Sequence, residues 1–420
     1  MGIYMKQNTS QTMVLLPLFM VILLDVAGII LVLPVLTPLI LQTNGSIVPA
    51  GTSLLVRDFL YGFSLALFPL FMFFSTPILG DLSDKFGRKK ILLLCLLGSA
   101  ASYAIAGMGI VLNSLTIFLI SRALAGLAAG TQPIATAAII DVSTAANKTK
   151  LLSWVVFTSS LGLILGPMLG GFTAEKNIVS WFGYDTPFWI AAGVCLLNAL
   201  FLFYSFKETS TPAVKHAIQL TKGFSLFIAA FAEKKFRLLS LLYFCFILAW
   251  SLYYQTINWF FMEKYNYSVL KLGLFVAFIG IIFAVTTSLF ARLVVRLFKN
   301  ETNAFTFFIF TMAIANIGAA LSQGELAQWL WVILNAMSDV ICFTVALGIF
   351  SNLASKETQG WIMGVTGAIG AITWTIGGII AGPLGYINIY VPLWTAGLLC
   401  LTSFLLMQIY KRTDFENKPA

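Results

Sequence analysis

Twelve apolar stretches, each long enough to cross a bilayer core of about 30 Å as a helix, constrain this chain more than any other feature. They run Met13–Leu41, Phe59–Leu79, Ile91–Leu112, Leu115–Ile140, Leu151–Phe172 and Pro187–Phe206 in the first half. The second half holds Leu238–Phe261, Leu272–Leu293, Ala304–Leu321, Ala327–Phe350, Gly360–Ile380 and Ile389–Tyr410. Peptide groups in lipid must bond within their own segment or to a neighbouring strand. The stretches are apolar on every side and do not alternate with period two, so helices are predicted and a membrane β-barrel is disfavoured. The first stretch is too long for the core of a cleaved leader and carries Asp25, so it is read as a span.

Charge placement agrees. The chain has a mean hydropathy of +0.93 and only 10% charged residues, outside the range of soluble domains. With a cytoplasmic amino terminus, 20 of the 25 Lys and Arg fall on the cytoplasmic side, and four (Arg57, Lys176, Lys264, Lys271) fall outside. Arg122 remains within a span. This bias places both termini in the cytoplasm and the chain in an inner or plasma membrane. The net charge of +9 is therefore topological; no clustered basic face with reading groups suggests nucleic acid. Cys95, Cys195, Cys245, Cys342 and Cys400 are dispersed in apolar runs, with no metal or disulfide spacing. No nucleophile and base pair, metal cluster or phosphate loop points to an enzyme, and no cofactor is expected.

A polar stretch, Lys207 to Arg237, divides the chain into an expected six-helix bundle (1–206), a cytoplasmic linker (207–236) and a second bundle (237–420). Its centre, Gly223 to Phe231, has the composition of a helix lying on a membrane surface, and His216 reads as a solvated linker residue. The halves repeat. Shifted by 211 residues, Tyr61 to Arg88 aligns without gaps on Leu272 to Lys299, with Gly62 on Gly273, Leu82 on Leu293, Lys85 on Arg296 and Arg88 on Lys299. Gly162-x-x-x-Gly166-Pro167 likewise recurs as Gly378-x-x-x-Gly382-Pro383.

The densest charge lies at Gly80-Asp81-Leu82-Ser83-Asp84-Lys85-Phe86-Gly87-Arg88-Lys89-Lys90, where eleven residues carry six charges between the second and third spans. Arg88 can pair with Asp141, at the cytoplasmic end of the fourth span. The stretch resembles the signature loop of the major facilitator superfamily, Gly-x-Leu-x-Asp-Arg/Lys-x-Gly-Arg/Lys-Arg/Lys. The resemblance implies an all-α membrane protein of twelve transmembrane helices in two six-helix pseudo-repeats. It also implies that Gly80, Asp84, Lys85, Gly87, Arg88 and Asp141 form a cytoplasmic gate, with Asp84 facing the start of the eleventh helix.

Three further segments carry the resemblance. Arg122, in Ile120-Ser121-Arg122-Ala123-Leu124-Ala125-Gly126, is too costly inside a span unless it meets a partner or a cavity. It resembles a fourth-helix arginine of proton-coupled members, although Ala125 stands where the family has Gln. Gly126 and Gly130, four apart, predict close helix approach. Gly162, Gly166, Pro167 and Gly170 resemble an antiporter motif of drug/proton exchangers, with Ser153 in place of its first Gly. Leu24 to Leu36 resembles the first helix of drug/proton antiporters, tetracycline/proton antiporters especially. It places Asp25 mid-span, where a carboxylate suits proton binding and release.

Asp339, in the tenth span, is the other mid-membrane acid and a second candidate proton or cation site; the ninth span, Phe305–Leu321, has none of the acid that tetracycline antiporters carry there. Gln132, Tyr253, Tyr254, Gln255, Asn258, Asn335 and Trp374 are candidate cavity residues for an amphipathic organic molecule. These residues together predict a proton-coupled exporter of such a molecule, working as a monomer. Uptake of a nutrient, metabolite or siderophore by the same fold is the alternative.

Overall fold

The computed structural model describes residues 2–43, 47–144, 147–209, 221–290, 294, 297–298, 300–353 and 358–416. His216 and the basic positions of the repeated loop (Arg292, Arg296, Lys299) lie outside them. Every regular element among the described residues is helical. The helices are α1 (Gly2–Leu41), α2 (Leu54–Phe86), α3 (Arg88–Val111), α4 (Leu115–Ala128), α5 (Thr131–Asp141), α6 (Lys148–Thr173) and α7 (Thr186–Ser205). They continue as α8 (Lys222–Ala232), α9 (Lys234–Tyr265), α10 (Val269–Val285), α11 (Glu301–Leu321), α12 (Glu325–Leu353), α13 (Gln359–Ile387) and α14 (Val391–Glu416). Twelve spans result, as the sequence predicts, with α4 and α5 forming one and a five-residue π-helix, Thr286–Phe290, prolonging α10.

Two compact units form. One comprises Met1–Ala50, Phe71–Leu220 and Ser268–Ala277; the other comprises Gly51–Leu70, Thr221–Tyr267 and Phe278–Ala420. In the first, α1 packs on α6, and α3 packs on α4 and α7. Its core joins Leu18 and Ile22 of α1 to Leu92 and Leu96 of α3, Ala135 and Ile139 of α5, and Leu202 of α7. In the second, α9 packs on α13 and α14, and α11 on α12 and α14. Aromatic edges fill that core: Phe246 meets Phe305 at 5.8 Å and Tyr243 meets Phe350 at 5.5 Å between ring centroids.

Each unit contains a short segment from the other half of the sequence, and each segment docks through glycine. A Cβ at Gly62 would overlap the Gly378 carbonyl oxygen and stand 3.0 Å from Gly382 N. A Cβ at Gly273 would overlap the Pro167 carbonyl oxygen and stand 2.8 Å from Gly171 Cα. These are equivalent positions of the repeat: the same residue makes the same kind of contact once in each unit. Arg57, assigned to the outer flank by sequence, is buried near the start of α2, with Nε donating to the Thr52 carbonyl at 3.4 Å.

The linker helix α8 packs on α9 and α13, placing Leu226 against Gly364 and leaving Phe224 and Ile228 exposed. The charged stretch is almost wholly helical. α2 runs through Gly80 and Asp84 to Phe86, and α3 starts at Arg88, so the junction is the single residue Gly87 at φ +102°. That conformation is open to glycine and strained for other residues.

Candidate functional site

Asp25 sits within the stretch of α1, Leu23 to Leu31, on which the glycines of α6 pack. A Cβ at Gly162 would stand 2.9 Å from the Leu23 carbonyl oxygen, and at Gly166 and Gly170 it would overlap the carbonyl oxygens of Ala27 and Leu31. The glycine face of α6 thus seats the Asp25 turn by backbone contact, and the Pro167 carbonyl faces Gly273. The Asp25 carboxylate is partly buried and accepts from Gln132 N–H at 3.3 Å. Gln132 spends its side chain on Ser159, Nε2 to Oγ at 3.2 Å.

Tyr103 of α3, which the sequence reading missed, joins the two charged candidates. It is buried, its hydroxyl lies over Gly28 one turn beyond Asp25, and it interacts electrostatically with both Arg122 and Asp25. Arg122 is 5% exposed and is buried within its unit. Glycine at 28 was the available signal, since any side chain there would occupy the hydroxyl's place.

At the cytoplasmic ends of α2, α3 and α5 the predicted charges meet. Arg88 Nη1 lies 2.6 Å from Asp84 Oδ1, and Arg88 Nε lies 3.4 Å from Asp141 Oδ2. The same Nη1 donates to Ser83 Oγ at 3.0 Å. Asp84 is half exposed, so its pair contributes about 0.5 kcal/mol or less. Lys85 lies over the Phe86 ring at 5.3 Å, and Gly80 borders open space.

The residue that fixes this corner is Glu208, also missed. Its carboxylate accepts from Arg88 N–H at 2.8 Å and Lys89 N–H at 3.1 Å, two of the unpaired donors at the start of α3. A negative charge there also suits the helix dipole; caps of this kind contribute about 1 kcal/mol. A Cβ at residue 87 would displace this carboxylate from its place, while the backbone angle of Gly87 is what calls for glycine. Nothing local announces Glu208, which lies 120 residues from its partner.

In the second unit, Asp339 is buried on α12, and its Oδ1 has no hydrogen-bond partner among the described residues. It acts electrostatically on Tyr243, Cys342 and Cys400. Asn335 is bonded reciprocally to Asn316 of α11, at 3.2 and 3.3 Å, and to the Tyr253 hydroxyl. Both asparagines are buried, so the Asn335 amide serves the bundle interior. Gln255 donates to Ser251 Oγ at 2.6 Å and the Trp374 carbonyl at 3.1 Å, while its own carbonyl accepts from the Tyr61 hydroxyl at 2.7 Å. Tyr254 meets the Trp374 ring edge-on at 5.8 Å. Asn258 is fully buried, with both side-chain polar atoms unpartnered among the described residues.

Twelve spans carrying interior carboxylates and a buried arginine define an integral membrane transport protein. The family model that matches the chain, Major Facilitator Superfamily, spans residues 18–378, and the chain belongs to that superfamily of transporters. It is similar to the tetracycline resistance protein, class B, of Escherichia coli, 27% identical over 89% of this chain and 88% of that one. Major facilitator superfamily domain-containing protein 10 of Mus musculus is 25% identical over 97% and 95%. Among solved structures, the human organic anion transporter MFSD10 (TETRAN) superposes with a TM-score of 0.69 at 22% identity, covering 94% of this chain and 99% of that chain. A bacterial homologue of the human lysosomal transporter Spinster, inward-facing and occupied, reaches 0.77 at 15% identity, covering 98% of both.

Proposed function

We propose that this transporter exports a small amphipathic organic molecule in exchange for protons, with Asp25 as the proton carrier. The observation that carries the reading is the seat of Asp25: a carboxylate inside a span, held at the fourth span's break, on a turn gripped by the glycine face of α6. An acid whose helix packs this closely transmits a change of charge to its neighbours as a change of packing. The functions carried in the relatives' names, tetracycline resistance and organic anion transport, support a small organic cargo.

Asp339, the second interior acid, is assigned a supporting proton or cation site, and Arg122 with Tyr103 tunes the first. Asp84, Arg88 and Asp141, set by Gly80, Lys85 and Gly87, hold the cytoplasmic gate closed in one state and part in the other. Such weak pairs suit a latch that opens in every cycle. Tyr254, Gln255, Asn258 and Trp374 line the cargo path. The protein works as a monomer in the inner or plasma membrane with both termini cytoplasmic. Its two compact units, built mainly from the six-helix halves 1–206 and 237–420, alternate about linker 207–236. A proton loaded from the acidic outside and released to the cytoplasm drives the cargo outward.

The test is uptake into everted vesicles, acid inside, with a panel including tetracycline and organic anions. Accumulation that collapses when the pH gradient is dissipated, and is lost in Asp25→Asn, is the expected result. Accumulation confined to right-side-out vesicles would establish uptake of a nutrient, metabolite or siderophore instead. Gradient-driven transport retained by Asp25→Asn would remove Asp25 from the mechanism.

A further inference from the structure

The fourth span is two helices joined by a break. α4 stops at Ala128; Ala129 is extended at φ −72°, ψ 164°, and Gly130 turns through φ +99°, ψ 12° before α5 begins at Thr131. A break inside a membrane frees carbonyls on one side and N–H groups on the other, and both need partners. On the α4 side the Gly126 carbonyl accepts from Ser75 Oγ at 2.9 Å and Ala129 N–H at 3.2 Å. On the α5 side the Gln132 N–H donates to the Asp25 carboxylate at 3.3 Å, and the buried Thr131 side chain, first residue of α5, acts on the same carboxylate in favour of its ionised form. The left-handed angle at Gly130 makes this possible, and a Cβ there would also stand 2.9 Å from Thr76 Oγ1.

We propose that Thr131 and Gly130 are positioning residues for the proton site: the amino terminus of α5, created mid-membrane by the break at Gly130, grips the ionised Asp25 carboxylate and releases it on protonation. This rests on Asp25 being the proton carrier. An unpaired helix amino terminus carries partial positive charge and favours an anion over a neutral acid. Among the described residues, Cys95 and Tyr103 from α3 and Cys195 from α7 act on Asp25, and the cation Arg122 of α4 is coupled to the same Tyr103. Thiols and phenols are ordinarily neutral near pH 7, so they do not replace the helix terminus as a counter-charge. From α6 the turn meets the glycines of the close-packed face.

α5 then links two sites. Its eleven residues make a rod of roughly 16 Å. Asp25 is bound at its amino end, and Asp141, paired with Arg88, sits at its carboxyl end. Protonating Asp25 lets go of one end of a rod whose other end holds the cytoplasmic cluster.

The test needs no cargo. Dicyclohexylcarbodiimide reacts with protonated carboxyl groups in apolar sites, and mass spectrometry reads its extent on the Asp25 and Asp339 peptides separately. In purified full-length protein, labelling of Asp25 is followed between about pH 5 and pH 9. Removing a hydroxyl that favours the ionised form should move the Asp25 midpoint in Thr131→Val to higher pH by about half a unit or more, a threefold change in proton affinity. Thr131→Ser should restore it, and the Asp339 midpoint should stay in place throughout. An Asp25 midpoint unchanged in Thr131→Val, beside a wild-type Asp25 that titrates, overturns the positioning role. If Thr131→Val is not recovered folded, Thr131→Ala is read in the same way. Proton-driven transport surviving in Asp25→Asn would instead remove the carrier reading on which this rests.

Discussion

Asn258 is fully buried in α9 with neither amide atom partnered among the described residues, an arrangement that costs about 1–3 kcal/mol for each unsatisfied group. A chain has little reason to keep such a residue unless another state of the cycle, or a cargo, supplies its partners. Asn258→Val, apolar and closer to asparagine in volume than leucine is, is expected to raise the thermal midpoint in detergent by about 1–3 °C while transport falls several-fold. A lower midpoint would show the amide to be satisfied in this state. The contrast with Asn335 is instructive: the same side chain on α12 is bonded reciprocally to Asn316 and should tolerate no such exchange. Sequence spacing placed both inside spans and treated them alike. Their difference lies in which helix faces them, which no single segment encodes.

Between helices, glycine decides how close two backbones come. The face of α6 that carries Gly162, Gly166 and Gly170 is legible as a motif because i, i+4 spacing puts small residues on one side. Its partner, the Asp25 turn of α1, is not legible, since it lies more than a hundred residues away. Gly166→Val is expected to abolish folded protein in the membrane, because its side chain meets the rigid Ala27 backbone. Gly193→Ala on α7, where a Cβ meets nothing within 4 Å, should raise the thermal midpoint slightly by gaining helix propensity. Protein quality by size-exclusion chromatography separates the two; equal behaviour would mean that packing distance does not control these sites. Two junctions escaped the sequence reading for physical reasons. Six charges in eleven residues read as a loop, yet nothing between Gly80 and Phe86 breaks a helix that is leaving the membrane. Gly126 and Gly130 read as a packing pair, but a positive φ leaves no trace in composition, and Gly130 divides the span.

For the molecule as a whole, the number of spans and the repeat were open to a sequence reading because hydrophobic length and internal similarity are both one-dimensional. The division into compact units was not, because it cuts across the chain. Residues 51–70 cluster with the second unit, and residues 268–277 with the first. Residues 1–206 expressed alone are therefore expected to be degraded, and co-expression with residues 207–420 should rescue both pieces and transport. A stable, correctly packed lone half would contradict the exchange. The same feature sets an order in time. Ribosomal synthesis delivers seven spans and the linker before Gly273 exists, so the glycine contact it makes with Pro167 and Gly171 must wait until the eighth span is inserted. The first unit thus stays unfinished through the making of the seventh span and closes only when the second half is under way.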